Sequence, residues 1–131
     1  MIMMTGSQYD FDRLSGKADD ALSGPEAAAL YEFMTAWNQR LVESGEFVEA
    51  RGLAAPVHTR RITLRAGVPV VTDGPYAETQ EVLAGYTIVE CAGFDRATEI
   101  AAQLTLAPGT PGDNWYVEVR PILEGAGDLD A

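Results

Sequence analysis

Val70-Val71-Thr72-Asp73-Gly74-Pro75-Tyr76-Ala77-Glu78-Thr79-Gln80-Glu81-Val82-Leu83-Ala84-Gly85-Tyr86 reads as the end of one strand, a tight turn and the approach to another strand. Asp73 supplies a short acceptor for turn amides, Gly74 admits positive φ and Pro75 fixes the exit of the chain. Upstream, Thr59 to Arg65 alternates, with Ile62 and Leu64 opposite Arg61, Thr63 and Arg65. Ala66-Gly67 then turns the chain into Val68 to Thr72, so the pair is a β-hairpin. Pro69 marks an edge or a bulge in it. Downstream, Tyr86 to Cys91 is another β-rich run.

Farther out, Ser23-Gly24-Pro25-Glu26 forms a capping box with proline in the first turn, and Gly45 is the natural stop. Between them Leu30, Phe33, Met34, Trp37 and Leu41 share one apolar stripe that reads as core, with Glu32, Asn38, Gln39 and Glu43 directed elsewhere. Glu46 to Gly52 is a weakly alternating strand. Asp95 is the expected cap of a second helix, whose Ala97, Ile100, Ala101 and Leu104 share a face. Trp115 to Leu123 closes the chain as a strand. Tyr9 to Asp20 is expected to be an acidic loop, and 124–131 a flexible tail after a single domain over 1–123.

The element order β-α-β-(hairpin)-β-α-β predicts an α+β fold, a ferredoxin-like split βαβ sandwich with an inserted hairpin and both helices on one sheet face. The other face is left to a second copy, with Tyr86, Ile88, Trp115, Val117 and Val119 as its apolar candidates. A homodimer is the expected assembly.

Nine Lys and Arg against twenty Asp and Glu give a net charge of −11, which excludes phosphate-backbone binding and an anionic membrane surface as partners. With 47% apolar and 22% charged residues, the chain has enough apolar material for one soluble core. Met1 to Gly6 lacks the cationic start of a signal peptide, no run approaches the roughly 18 apolar residues of a membrane span, and Cys91 is alone. A cytoplasmic protein is expected. Neither a metal-ligand pattern nor a dinucleotide, P-loop, esterase or metalloprotease motif is present, so no cofactor is expected.

The quoted turn resembles the DGPF family of YCII-related proteins: a strand, Asp-Gly-Pro-Phe or Tyr, a small residue, Glu, then Leu-x-Gly-Tyr, here Asp73 to Glu78 and Leu83 to Tyr86. The resemblance implies a dimeric α+β, ferredoxin-like fold of the α/β-barrel type, with a pocket near the dimer interface. The YciI-type branch of this family is proposed to use a histidine on its first helix together with an aspartate. Gly24 to Ser44 contains no histidine.

For chemistry, Asp73 is the candidate general base or anchor, and His58, the single histidine, its candidate proton partner. Arg61 and Tyr76 are candidates to orient a small polar or anionic substrate, with Gly74, Pro75 and Glu78 beside them. Arg61 and Arg65 share a strand face and Arg60 does not. Each of these residues also has a structural reading: turn-forming for Asp73-Gly74-Pro75, solvated for His58 and for Glu78 with Glu81, ion-paired for the arginines. Two functions follow from the pattern. One is a small cofactor-independent enzyme, and the other is a non-catalytic dimeric module that binds a small ligand or a partner.

Overall fold

The computed structural model describes residues 1–74, 76–110 and 115–125. Six strands and three α-helices are present among them, in an α+β arrangement: β1 Ile2–Gly6, α1 Gln8–Leu14, α2 Gly24–Ser44, β2 Phe47–Gly52, β3 Arg60–Arg65, β4 Val68–Asp73, β5 Val82–Val89, α3 Phe94–Ala102 and β6 Val117–Val119. The main sheet is antiparallel with order β2-β5-β1-β6, and β3 and β4 form a separate hairpin. Each crossover skips a position, because β5 lies between β1 and β2, and β1 lies between β5 and β6. The expected order of elements is therefore present, hairpin included.

Local chemistry explains the helix ends. Ser23 and Glu26 cap α2 reciprocally at 3.2 Å each, and Gly45, at φ +78°, sends its N–H to Leu41 and Val42. The segment expected to be an acidic loop contains α1. Ser7 Oγ accepts from the Asp10 amide at 3.1 Å while Asp10 Oδ2 accepts from the Ser7 amide at 2.8 Å, a capping box with aspartate in the usual place of glutamate. Asp95 is not the cap of α3. Gly93 holds that position without a side-chain bond, and Asp95 sits in the first turn, where its charge faces the positive end of the helix dipole.

The last strand is also shorter than expected. Beyond Val119 the pairing continues only through the Met1 amino group to Arg120 O at 2.7 Å and Arg120 N–H to Met1 O at 2.9 Å, after which Pro121 has no N–H to offer. Of the tail, Glu124 and Gly125 form a bend, and 126–131 lie outside the described residues.

The core lies between the sheet and the helices: Ile2, Trp37, Leu41, Ile100, Ala101 and Leu104. Trp37 is 1% exposed, and its indole N–H donates to Ile100 O at 3.1 Å. The pairing of Ile2 with Thr87 and Val119, and of Met4 with Val117, puts the valines of β6 on the helix side. Val117, Val119 and Trp115 pack against the core instead of facing outward as expected. Tyr86 and Ile88, flanking the buried Thr87, face the opposite side with Met3. No helix among the described residues is long and apolar enough to cross a membrane.

A polar clamp closes the end of α2. Arg96 of α3 donates twice to Glu46, at 2.9 Å each, and the Ser44 hydroxyl adds a third bond at 2.8 Å. Arg96 first, then Ser44, hold the Glu46 carboxyl down from 4.5 to about 2. A depressed carboxylate contributes stability that is complete above its unfolded value and is lost as pH falls toward the folded one. Melting temperatures of wild type and Glu46→Gln, followed from about pH 7 to about pH 2, are therefore expected to differ most near neutrality and to converge between 4.5 and about 2. A gap that stays constant across that window contradicts the clamp.

Candidate functional site

The sheet beneath the N-terminal half of α2 is floored by small residues. Gly6, Ala50, Gly52, Ala84 and Gly85 all line one space. At Gly85 the reason is close approach, since a Cβ would stand 3.0 Å from Arg51 O of the neighbouring strand. The register shift at Met4/Thr5 is a bulge that brings Ala84 alongside Gly6, where a Cβ would meet the Ala84 methyl at 3.4 Å. Above this floor, α2 presents Leu30, Met34 and Asn38, α1 contributes Phe11 and Leu14, and Leu104, Ala107 and Trp115 close one end. Helix on one side and nearly bare backbone on the other leave a cavity of about 520 Å³. That is the size of a small-molecule site.

Charged and polar groups reach the walls, and most have partners already. Asp10 is held by Ser7. Arg13 Nε lies 3.4 Å from both the backbone and the carboxylate oxygen of Asp20. Arg51, paired across the strands with Tyr86 and so on its outward face, reaches Glu49 at 3.7 Å on the side of the sheet away from the helices. The Tyr86 hydroxyl donates to Glu49 at 3.2 Å, and burial first, then that bond, push its phenol above the usual range. Asn38 differs. Its Nδ2 donates to Met34 O at 3.0 Å, and its Oδ1 is the one buried side-chain polar atom without a partner among the described residues. Asn38 was expected to point away from the stripe, but it falls four residues after Met34 and three before Leu41, on the inward face.

The residues marked by the DGPY turn gather elsewhere, at the root of the hairpin. Asp73 ends β4, with its side chain 80% exposed and Oδ1 3.3 Å from Arg60 Nε. Gly74, at φ +54°, donates to Thr59 O at 2.8 Å, and a Cβ there would lie 3.4 Å from Val57 O. This seats the turn against Pro56–His58, a single 3₁₀ turn with His58 exposed at its end. Arg61 stacks on Tyr76, its guanidinium carbon 4.8 Å from the ring centre. Glu78 stands apart, its backbone oxygen accepting from Tyr9 N–H of α1 at 3.1 Å. The turn thus brings Asp73 to Arg60 and Arg61 to Tyr76, and among the described residues none of the turn, His58 included, lines the cavity. Pro75 lies outside the described residues. Among the described residues no three His, Cys, Asp or Glu side chains are placed to hold a metal ion.

Of the cavity residues, the sequence gives Phe11 no role, places Asn38 off the apolar stripe and presents Ala84 and Gly85 only as part of the Leu-x-Gly-Tyr motif. The available signal was a polar residue inside an apolar helical stripe, together with a run of small residues where strands of a core sheet were expected.

A family model described as the YCII-related domain matches residues 11–122. An uncharacterised protein of Rhizobium meliloti (strain 1021) is 32% identical over 102 residues, covering 78% of this chain and 80% of that protein. The matched span includes α2, the hairpin, the turn and α3.

A buried oxygen without a partner costs about 1–3 kcal/mol, and an apolar group of the same size removes that cost. Asn38→Leu is therefore expected to raise Tm by about 3 °C or more. A lower Tm in thermal denaturation means that Oδ1 is satisfied in the folded protein.

Proposed function

The chain belongs to the YCII-related domain family, and we propose that it is a homodimeric small-molecule-binding protein whose ligand occupies the space between α2 and the sheet. The observation that carries this reading is the cavity itself: about 520 Å³, lined mainly by apolar side chains, with a few polar groups at fixed positions. The strand order supports the ferredoxin-like description of the fold. A cytoplasmic setting fits a chain whose single cysteine is free.

Two surfaces support self-association. One is the open sheet face with Met3, Tyr86 and Ile88. The other is the hairpin, an isolated two-stranded ribbon of a kind that is marginal in water, with Ile62 67% and Leu64 72% exposed. Charge names the occupant. The hairpin carries three arginines against one aspartate, so an arm of +2 extends from a remainder of −13, and a second copy offers that acidic surface. Light scattering at micromolar concentration is expected to give twice the 14.1 kDa chain mass, with Ile62→Glu together with Leu64→Glu shifting it toward the monomer. A wild-type monomer throughout contradicts the assembly.

A second reading keeps catalysis at the motif turn. Its support is the contact of Arg61 with Tyr76 and, on the other face of the strand, of Arg60 with Asp73, either of which can meet a small polar or anionic substrate, with His58 as the candidate proton partner. One thermal-shift screen separates the two readings, using neutral aromatics, carboxylates and phosphates against wild type, Ala50→Leu and Asp73→Ala. A ligand at about 100 times its Kd adds roughly 2.7 kcal/mol, a shift of several degrees. The cavity reading expects neutral compounds to shift wild type and Asp73→Ala but not the cavity-filled Ala50→Leu. Anions that shift Ala50→Leu but not Asp73→Ala favour the turn instead.

A further inference from the structure

We infer that residues 8–22 are a lid on the cavity, that the motif loop is its latch, and that ligand enters where the latch opens. This rests on the cavity reading and adds to it the entrance and what controls it.

Most of the wall belongs to structure that opens only with the fold. α2 is pinned by the Trp37 bond and the Glu46–Arg96 clamp, the floor belongs to the strand ladder, and Leu104 and Trp115 at the closed end are part of the core or packed against it. α1 differs. It turns Phe11 and Leu14 toward the space, yet none of its seven residues is buried, and Leu14 is 52% exposed at the rim. Elements of this kind open locally at far lower cost than a core helix or a central strand.

The lid is tied to itself more than to its surroundings. Tyr9 Oη donates to Asp20, Arg13 Nε reaches the same carboxylate, Leu22 N–H donates to Arg13 O at 3.1 Å and Lys17 N–H donates to Asp12 O at 2.8 Å. Among the described residues two hydrogen bonds lead outward from it, and both end at the motif loop or at the turn seated on it. Tyr9 N–H, an amide of the first helical turn with no acceptor inside its own helix, donates to Glu78 O at 3.1 Å. Gln8 Oε1 accepts from Val57 N–H at 2.9 Å. Gly74 holds that second partner in place, since its N–H donates to Thr59 O at 2.8 Å and a Cβ on it would lie 3.4 Å from Val57 O. The motif loop, which does not line the cavity, thus reaches it through α1. The chain enters the lid at Ser7 and leaves it at Ser23, both helix caps with extended backbone, so rotation at these two positions swings the lid while β1 and α2 stay in place.

Amide hydrogen exchange and dye binding on the ¹⁵N-labelled full chain test this. The probe is N-phenyl-1-naphthylamine, a neutral dye that fluoresces in apolar surroundings, and the Gly6, Gly52 and Gly85 amides record occupancy of the cavity floor. In wild type the Tyr9 amide is expected to exchange faster than the Leu41 amide of α2, and about tenfold more slowly once the dye is present at about ten times its Kd. Gln8→Ala removes one latch bond and is expected to speed Tyr9 exchange and dye association by the same factor, about fivefold, with Leu41 unchanged. Gly74→Ala, which strains the seat of Val57, is expected to act in the same direction. Tyr9 exchange no faster than that of Leu41, Tyr9 exchange indifferent to the dye, or a dye association rate that does not follow Tyr9 exchange across the variants overturns the lid. The failures are distinguishable. If the dye moves the floor amides while any of these results holds, the cavity reading stands and the lid falls. If the dye moves none of the floor amides, both fall.

Discussion

One hydrogen bond sets the spacing of the helical layer. Trp37, on the inward face of α2, donates its indole N–H to Ile100 O near the C-terminus of α3. That carbonyl belongs to the last turn of α3. The bond therefore gives a buried indole its acceptor and ties α2 to α3. Ile2 of the central strand and Leu104 complete the packing around it. At this end of the molecule helices and sheet are in full contact.

Towards the N-terminus of α2 the same helix passes over a different floor. Leu30 and Met34 are held at a height set by Trp37 and Leu41, while the strands beneath them offer glycine and alanine. The layers cannot close, because the helix is rigid and its far end is pinned by the tryptophan bond and the Glu46–Arg96 clamp. The space is thus a consequence of side-chain size along two strands, read against a helix fixed at one end. The small-residue floor does double duty, since Gly85 also permits β5 and β2 to approach at Arg51. Function and fold draw here on the same residues.

Much of the architecture was legible because its signals are local. Ser23, Glu26 and Gly45 bound α2, the alternation across Ala66-Gly67 makes a hairpin, and the DGPY turn points to the family. What was missed has physical causes. Acidic composition over Tyr9 to Asp20 hides α1, because Asp10 acts there as the capping partner of Ser7 and not merely as a solvated charge. Asp95 was read as a cap when a glycine with no side chain held that place. Trp115, Val117 and Val119 were assigned outward because strand register depends on partners distant in sequence, here Ile2 and Met4. The candidate site was the least legible part. A cavity is a property of absent side chains on segments far apart in the chain, whereas a sequence draws attention to reactive ones such as Asp73 and His58.

The account stands on a ligand-sized apolar space between α2 and a glycine- and alanine-rich floor. Xenon enters dry apolar cavities and is visible to X-rays without chemistry of its own. The most direct measurement is a crystal structure of the protein under xenon pressure. Xenon density between Leu30, Met34 and the backbone of Ala84 and Gly85 is the expected result. Met34 and Phe11 collapsed onto Gly85, with xenon absent from that space, contradicts it.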